Sequence, residues 1–135
     1  MPPATSRDFQ KAAGQRLTAA LFLRDHRYTL DAQYLGGYTV ECSLKSLILE
    51  KTPVVDRPSK LTAISSGARM HSPIVLLGEL HDLGVTLPTA LRKRMKKFRW
   101  TTDLRYDSGK LDFGETVAFL NTAQAIYDWV EVQLP

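Results

Sequence analysis

Apolar residues recur along this chain at helical spacing, and no stretch of any length alternates in the two-residue rhythm of a strand. From about Ser6 to Arg24, Phe9, Ala12, Ala13, Leu17, Ala20, Leu21 and Leu23 mark one side of a first helix, with Ser6 as its N-cap. A second helix is expected from about Thr29 to Glu50. Leu30, Tyr34, Tyr38 and Ile48 lie on one face of it. Leu35, Cys42 and Leu49 lie a quarter-turn away, and Val40 and Leu47 lie opposite. A helix apolar on all sides belongs at the centre of a fold. Gly36 and Gly37 inside it each cost about 1 kcal/mol against alanine, and are expected to admit the close approach of another backbone. Residues 51–70 lose the periodicity at Pro53, Pro58 and Ser65-Ser66-Gly67, and read as a long mobile loop.

Ser72 and Pro73 open a third helix, ended near Leu83 by Gly84. A fourth runs from Pro88 to about Arg99. Trp100 to Leu111 reads as a second loop. The last helix runs from about Asp112 to Leu134, with Phe113, Val117, Leu120, Tyr127 and Leu134 on one face and Phe119, Ala123, Ile126 and Val130 beside it. The expected fold is all-α: an up-and-down bundle of about five helices in one domain over residues 1–135.

Composition narrows the class. Of 135 residues, 44% are hydrophobic and 24% charged, which excludes a disordered or low-complexity chain. The best apolar run, Leu17 to Leu23, is far short of the ~20 residues of a membrane span. Met1-Pro2-Pro3 lacks the basic and apolar regions of a secretory leader, so a soluble, cytoplasmic protein is expected. One cysteine, Cys42, excludes an internal disulfide and a multi-cysteine zinc site. His26, His71 and His81 share no metal-ligand spacing, so neither metal nor cofactor is expected.

Charge is uneven. Six of the 18 basic residues fall in Arg92-Lys93-Arg94-Met95-Lys96-Lys97-Phe98-Arg99; outside it stand 12 basic and 14 acidic residues. On a helix, Arg92, Lys96 and Arg99 line up, Lys93 and Lys97 form the adjacent row, and Met95 and Phe98 face the bundle. Such a run is either a phosphate-binding patch or a solvated face.

Glu41 sits in the middle of the most apolar helix and must be paired there. Lys45 stands four residues on, in the favourable orientation, and Arg105-Tyr106 is the natural distant partner. His71, two residues from Arg69 at the edge of the first loop, is the histidine best placed for function.

The run Tyr34-Leu35-Gly36-Gly37-Tyr38-Thr39-Val40-Glu41-Cys42-Ser43-Leu44-Lys45 resembles the central helix of the HEPN domain family. Leu80-His81-Asp82-Leu83 resembles that family's His-Asp-Leu element. Trp100 through Arg105-Tyr106, with Tyr127 and Trp129 on the last helix, resembles its C-terminal part. The resemblance spans about Phe9 to Val130. It implies a helical, usually homodimeric domain that associates with nucleotides or RNA in prokaryotic defence or toxin–antitoxin systems, frequently beside a small nucleotidyltransferase partner. The family's active branches are metal-independent ribonucleases carrying Arg, four to six residues, then His; no histidine follows an arginine at that spacing here. No catalytic residue is therefore assigned. The expected nucleotide- or RNA-binding residues are Arg69, His71, Arg92, Lys93, Lys96, Arg105 and Tyr106, with Glu41 and Lys45 as a structural polar pair. The expected function is a binding module; a divergent ribonuclease is the alternative.

Overall fold

In a computed structural model, which describes residues 1–135, the chain is all-helical. It forms α1 (Ser6–Asp25), α2 (Thr29–Lys51), α3 (Arg57–Ile64), α4 (Pro73–Asp82), α5 (Thr89–Met95) and α6 (Phe113–Glu131). Short 3-10 turns occupy Val54–Asp56, Ala68–His71 and Thr102–Tyr106. The helices number six, where about five were expected.

The extra helix lies in residues 51–70, which were expected as loop. Pro58 falls in the first turn of α3, where a proline loses no hydrogen bond, so it starts a helix instead of preventing one. Ile64 is fully buried and Leu61 half-buried, and these two anchors fasten α3 to the core. Two short apolar anchors are too few to show as a periodicity. Likewise, α1 is capped by Thr5, not Ser6. The Thr5 hydroxyl accepts from the Asp8 N–H, and the Asp8 carboxylate accepts from the Thr5 N–H. Ser6 instead donates its hydroxyl to Glu50 on α2 at 3.0 Å.

α2 is the axis of the molecule. Sixteen of its residues are buried, and α1, α4 and α6 pack around it. The glycines make room for side chains, not for a backbone. A Cβ on Gly36 would stand 2.5 Å from Leu120 Cδ2, and one on Gly37 would overlap the indole of Trp100. That indole is buried and donates Nε1–H to the Tyr34 carbonyl at 3.1 Å.

The two adjacent apolar faces of the last helix are largely covered within the chain. Phe119, Ala123, Ile126 and Val130 of α6 are buried, and the Tyr127 ring lies over Gly14 of α1.

Candidate functional site

Between Ala32 and Leu49 of α2, only Tyr34, Leu35, Tyr38 and Cys42 keep partial access to solvent. They sit at i, i+1, i+4 and i+8, one stripe of a helix otherwise enclosed. The stripe forms one wall of a cleft of about 660 Å³, faced by Lys11 and Arg16 from α1.

Beside this stripe lies an ion cluster. Lys45 Nζ is 3.0 Å from Glu41 Oε2, and both side chains are 6% exposed. His71 Nδ1 is 3.0 Å from the other carboxylate oxygen, Oε1. The short turn Ala68–His71 delivers the imidazole, and Ser72 accepts from the Val75 N–H to start α4 immediately after it. Burial demands this pairing, since an unpaired carboxylate in the core costs several kcal/mol. An ionised carboxylate only accepts, so Nδ1 carries the proton, and in the neutral ring Nε2 keeps its lone pair. Glu41 is thus fully engaged without Arg105, which was expected as its partner. Arg105 is exposed and lies over its neighbour Tyr106, 4.7 Å from the ring centre. The exposed 3-10 turn Thr102–Tyr106 holds this pair at the surface. Arg69 is exposed.

The surroundings set protonation. Burial holds the Tyr38 hydroxyl well above the usual phenol range, reinforced by the Tyr34 hydrogen bond and the Glu41 charge and opposed by Arg105. Tyr38 therefore stays a neutral hydroxyl. Burial also pushes the Cys42 thiol up to about 11, helped by Glu41 and opposed by Lys45 and Arg16. It is no thiolate nucleophile at neutral pH. No three His, Cys, Asp or Glu side chains converge as a metal site would need.

The Tyr38 ring also meets the Trp100 ring edge-on at 5.0 Å and the His71 ring at 6.4 Å between centroids. Through Trp100 the stripe adjoins the basic segment. All six cations of Arg92 to Arg99 are exposed, while Met95, Phe98 and Trp100 are buried. The helical row expected for Arg92, Lys96 and Arg99 is broken, because α5 ends at Met95 and Arg99 lies outside any helix, past the turn at Lys96 and Lys97. Phe98 turns inward to stack on Phe119, with ring centroids 4.1 Å apart. Stacking and indole burial outweigh continuation of a highly charged helix.

The consequence is a different grouping of charges. Arg94, Lys97 and Arg99 border a cleft of about 620 Å³ against Gln33 of α2 and Glu115, Asn121 and Thr122 of α6. Arg92, Lys93 and Lys96, the expected ligands, do not line it. So the structure joins Glu41, Lys45 and His71. It keeps Arg69 and Arg105-Tyr106 as surface groups and divides the basic run. Gln33 was missed, and its one signal was a polar residue on a helix read as apolar all round. Comparison with family models, curated proteins and solved structures finds no match to this chain.

Proposed function

We propose that this chain is a HEPN-like helical module, an up-and-down bundle in architecture, that holds RNA or a nucleotide without cutting it. In this reading it is a dimeric cytoplasmic component of a prokaryotic defence or toxin–antitoxin system, paired with a small nucleotidyltransferase. One observation carries the binding role. Six cations are exposed on a short segment whose Met95, Phe98 and Trp100 side chains are driven into the core. A patch pinned in this way presents its charge without the ordering cost of a flexible basic tail. Titration of single-stranded RNA at about 150 mM salt tests it; a flat curve at protein concentrations up to ~100 μM, above ordinary non-specific affinity, refutes it. Light scattering at micromolar concentration tests the dimer, and a monomer mass refutes that part.

The Glu41–His71 hydrogen bond favours a second reading, a divergent metal-independent ribonuclease. A carboxylate that fixes the Nδ1–H tautomer leaves Nε2 as a base, the arrangement general acid–base chemistry uses. The imidazole is 44% exposed, so a substrate can reach it. Incubation of the protein with labelled RNA in chelator tests this reading. Cleavage lost in His71→Gln supports it; intact RNA with the wild type refutes it.

A further inference from the structure

We propose that the cleft between α5 and α6 takes a single nucleotide, its phosphate held by Arg94, Lys97 and Arg99 and an N–H of its base by Gln33. This rests on the RNA- or nucleotide-binding reading and names the chemical unit that would be held.

Gln33 carries the argument. The residue is 8% exposed, and it lines the cleft. Its amide orientation follows from a chain of donors. Thr116 gives its only hydroxyl proton to the Asp112 carbonyl at 2.8 Å. The Thr116 oxygen must therefore accept from Gln33, and it does so from Nε2 at 2.9 Å. The amide nitrogen is thus the inner group, and the amide oxygen has no hydrogen-bond partner in the protein. That oxygen keeps access to solvent, so a ligand's N–H entering the cleft can supply its donor in place of water.

The rest of the lining fits such a ligand. Three cations on one side suit a phosphate, two of them arginines capable of bidentate contact. Asn121 and Thr122 on α6 add polar groups to the opposite wall. The stacked Phe98–Phe119 pair supplies an apolar surface. The volume of about 620 Å³ lies within the ~300–1,000 Å³ of small-ligand sites. Glu115 is the one carboxylate on the lining and weakens the field for a phosphate. Neutralising it strengthens binding if the phosphate sits there.

The probes are 5′-AMP, adenosine, inorganic phosphate and N6,N6-dimethyl-AMP, whose exocyclic nitrogen donates nothing, each titrated calorimetrically into the full chain. AMP is expected to bind tighter than either fragment. The dimethyl analogue should bind about fivefold weaker, the size of one lost neutral hydrogen bond. Arg94→Ala with Lys97→Ala should weaken AMP by about tenfold or more, and Glu115→Gln should strengthen it. Lys51→Ala, about 27 Å along α2 from Gln33, should change nothing. Because Arg94 and Lys97 are exposed, these variants keep the wild-type melting curve. Phosphate binding as tightly as AMP overturns the base contact, as does equal affinity for the dimethyl analogue. A single-stranded oligonucleotide that binds while AMP does not overturns the cleft and leaves the RNA reading standing. If neither binds, both fail.

Discussion

Replacing Gly37 by alanine sets two effects of opposite sign against each other. Alanine is favoured over glycine inside a helix by about 1 kcal/mol. The added Cβ, however, would overlap the Trp100 indole at three ring atoms, and a rigid bicycle cannot yield as a flexible side chain can. The indole must leave its site. It then gives up its burial and its hydrogen bond to the Tyr34 carbonyl. Removing a buried tryptophan costs about 3–5 kcal/mol, so the net loss is about 2–4 kcal/mol. For a chain of this length that lowers Tm by about 7–14 °C. Gly78→Ala is the matched control. Gly78 lies in α4, is exposed and has open space where a Cβ would go, so stability should rise by about 0.5–1 kcal/mol. Thermal and urea melts by circular dichroism measure both variants. Tryptophan emission should shift red in Gly37→Ala as Trp100 meets water. RNA affinity should fall as well, because Trp100 ends the segment that presents the cations. A Gly37→Ala protein as stable as the wild type with unshifted emission would refute the account of this glycine.

Glu41→Ala leaves Lys45 buried without its carboxylate and should destabilise by about 3–5 kcal/mol, whereas Glu41→Leu with Lys45→Met should recover most of that in urea melts. The Cys42 thiol, raised to about 11 by burial, should alkylate at pH 8 about a hundredfold more slowly than a free cysteine, with a rate that keeps rising until the pH reaches about 11. Sign decides the acid behaviour. Asp8 is held low chiefly by the Ala4 N–H and the Thr5 cap, and Glu131 by Arg7 and Gln10. Lowered carboxyls stabilise above their unfolded titration, near pH 4–5, and lose that contribution as pH falls through the folded values. Acid titration by NMR should therefore loosen the α1 N-terminus and its Arg7–Glu131 tie only after the unperturbed carboxylates have taken up their protons, and loss of both ahead of those carboxylates would contradict it. For RNA, three or four phosphate contacts give a log–log salt slope of about −2 to −3; a slope near zero with retained binding would show that the cations are not the contacts.

Periodicity alone was enough to place α1, α2, α4 and α6 to within a few residues, because each carries several apolar positions that only a helix gathers on one side. It also marked α2 as the axis and Glu41 as a carboxylate in need of Lys45. What it could not reach depends on partners distant in the chain. Gly37 and Trp100, separated by 63 positions in the sequence, are complementary in shape, and nothing local to either announces the other. The same holds for Glu41 and His71, and for Gln33 with Thr116. Residues 51–70 read as loop because α3 is fastened by two side chains, too few for a period to emerge. α5 was drawn too long because helix propensity is a local quantity, while the burial of Phe98 against Phe119 is not. That one tertiary contact ends the helix, separates Arg94, Lys97 and Arg99 from the rest of the basic run, and turns a row of charges into the wall of a cleft.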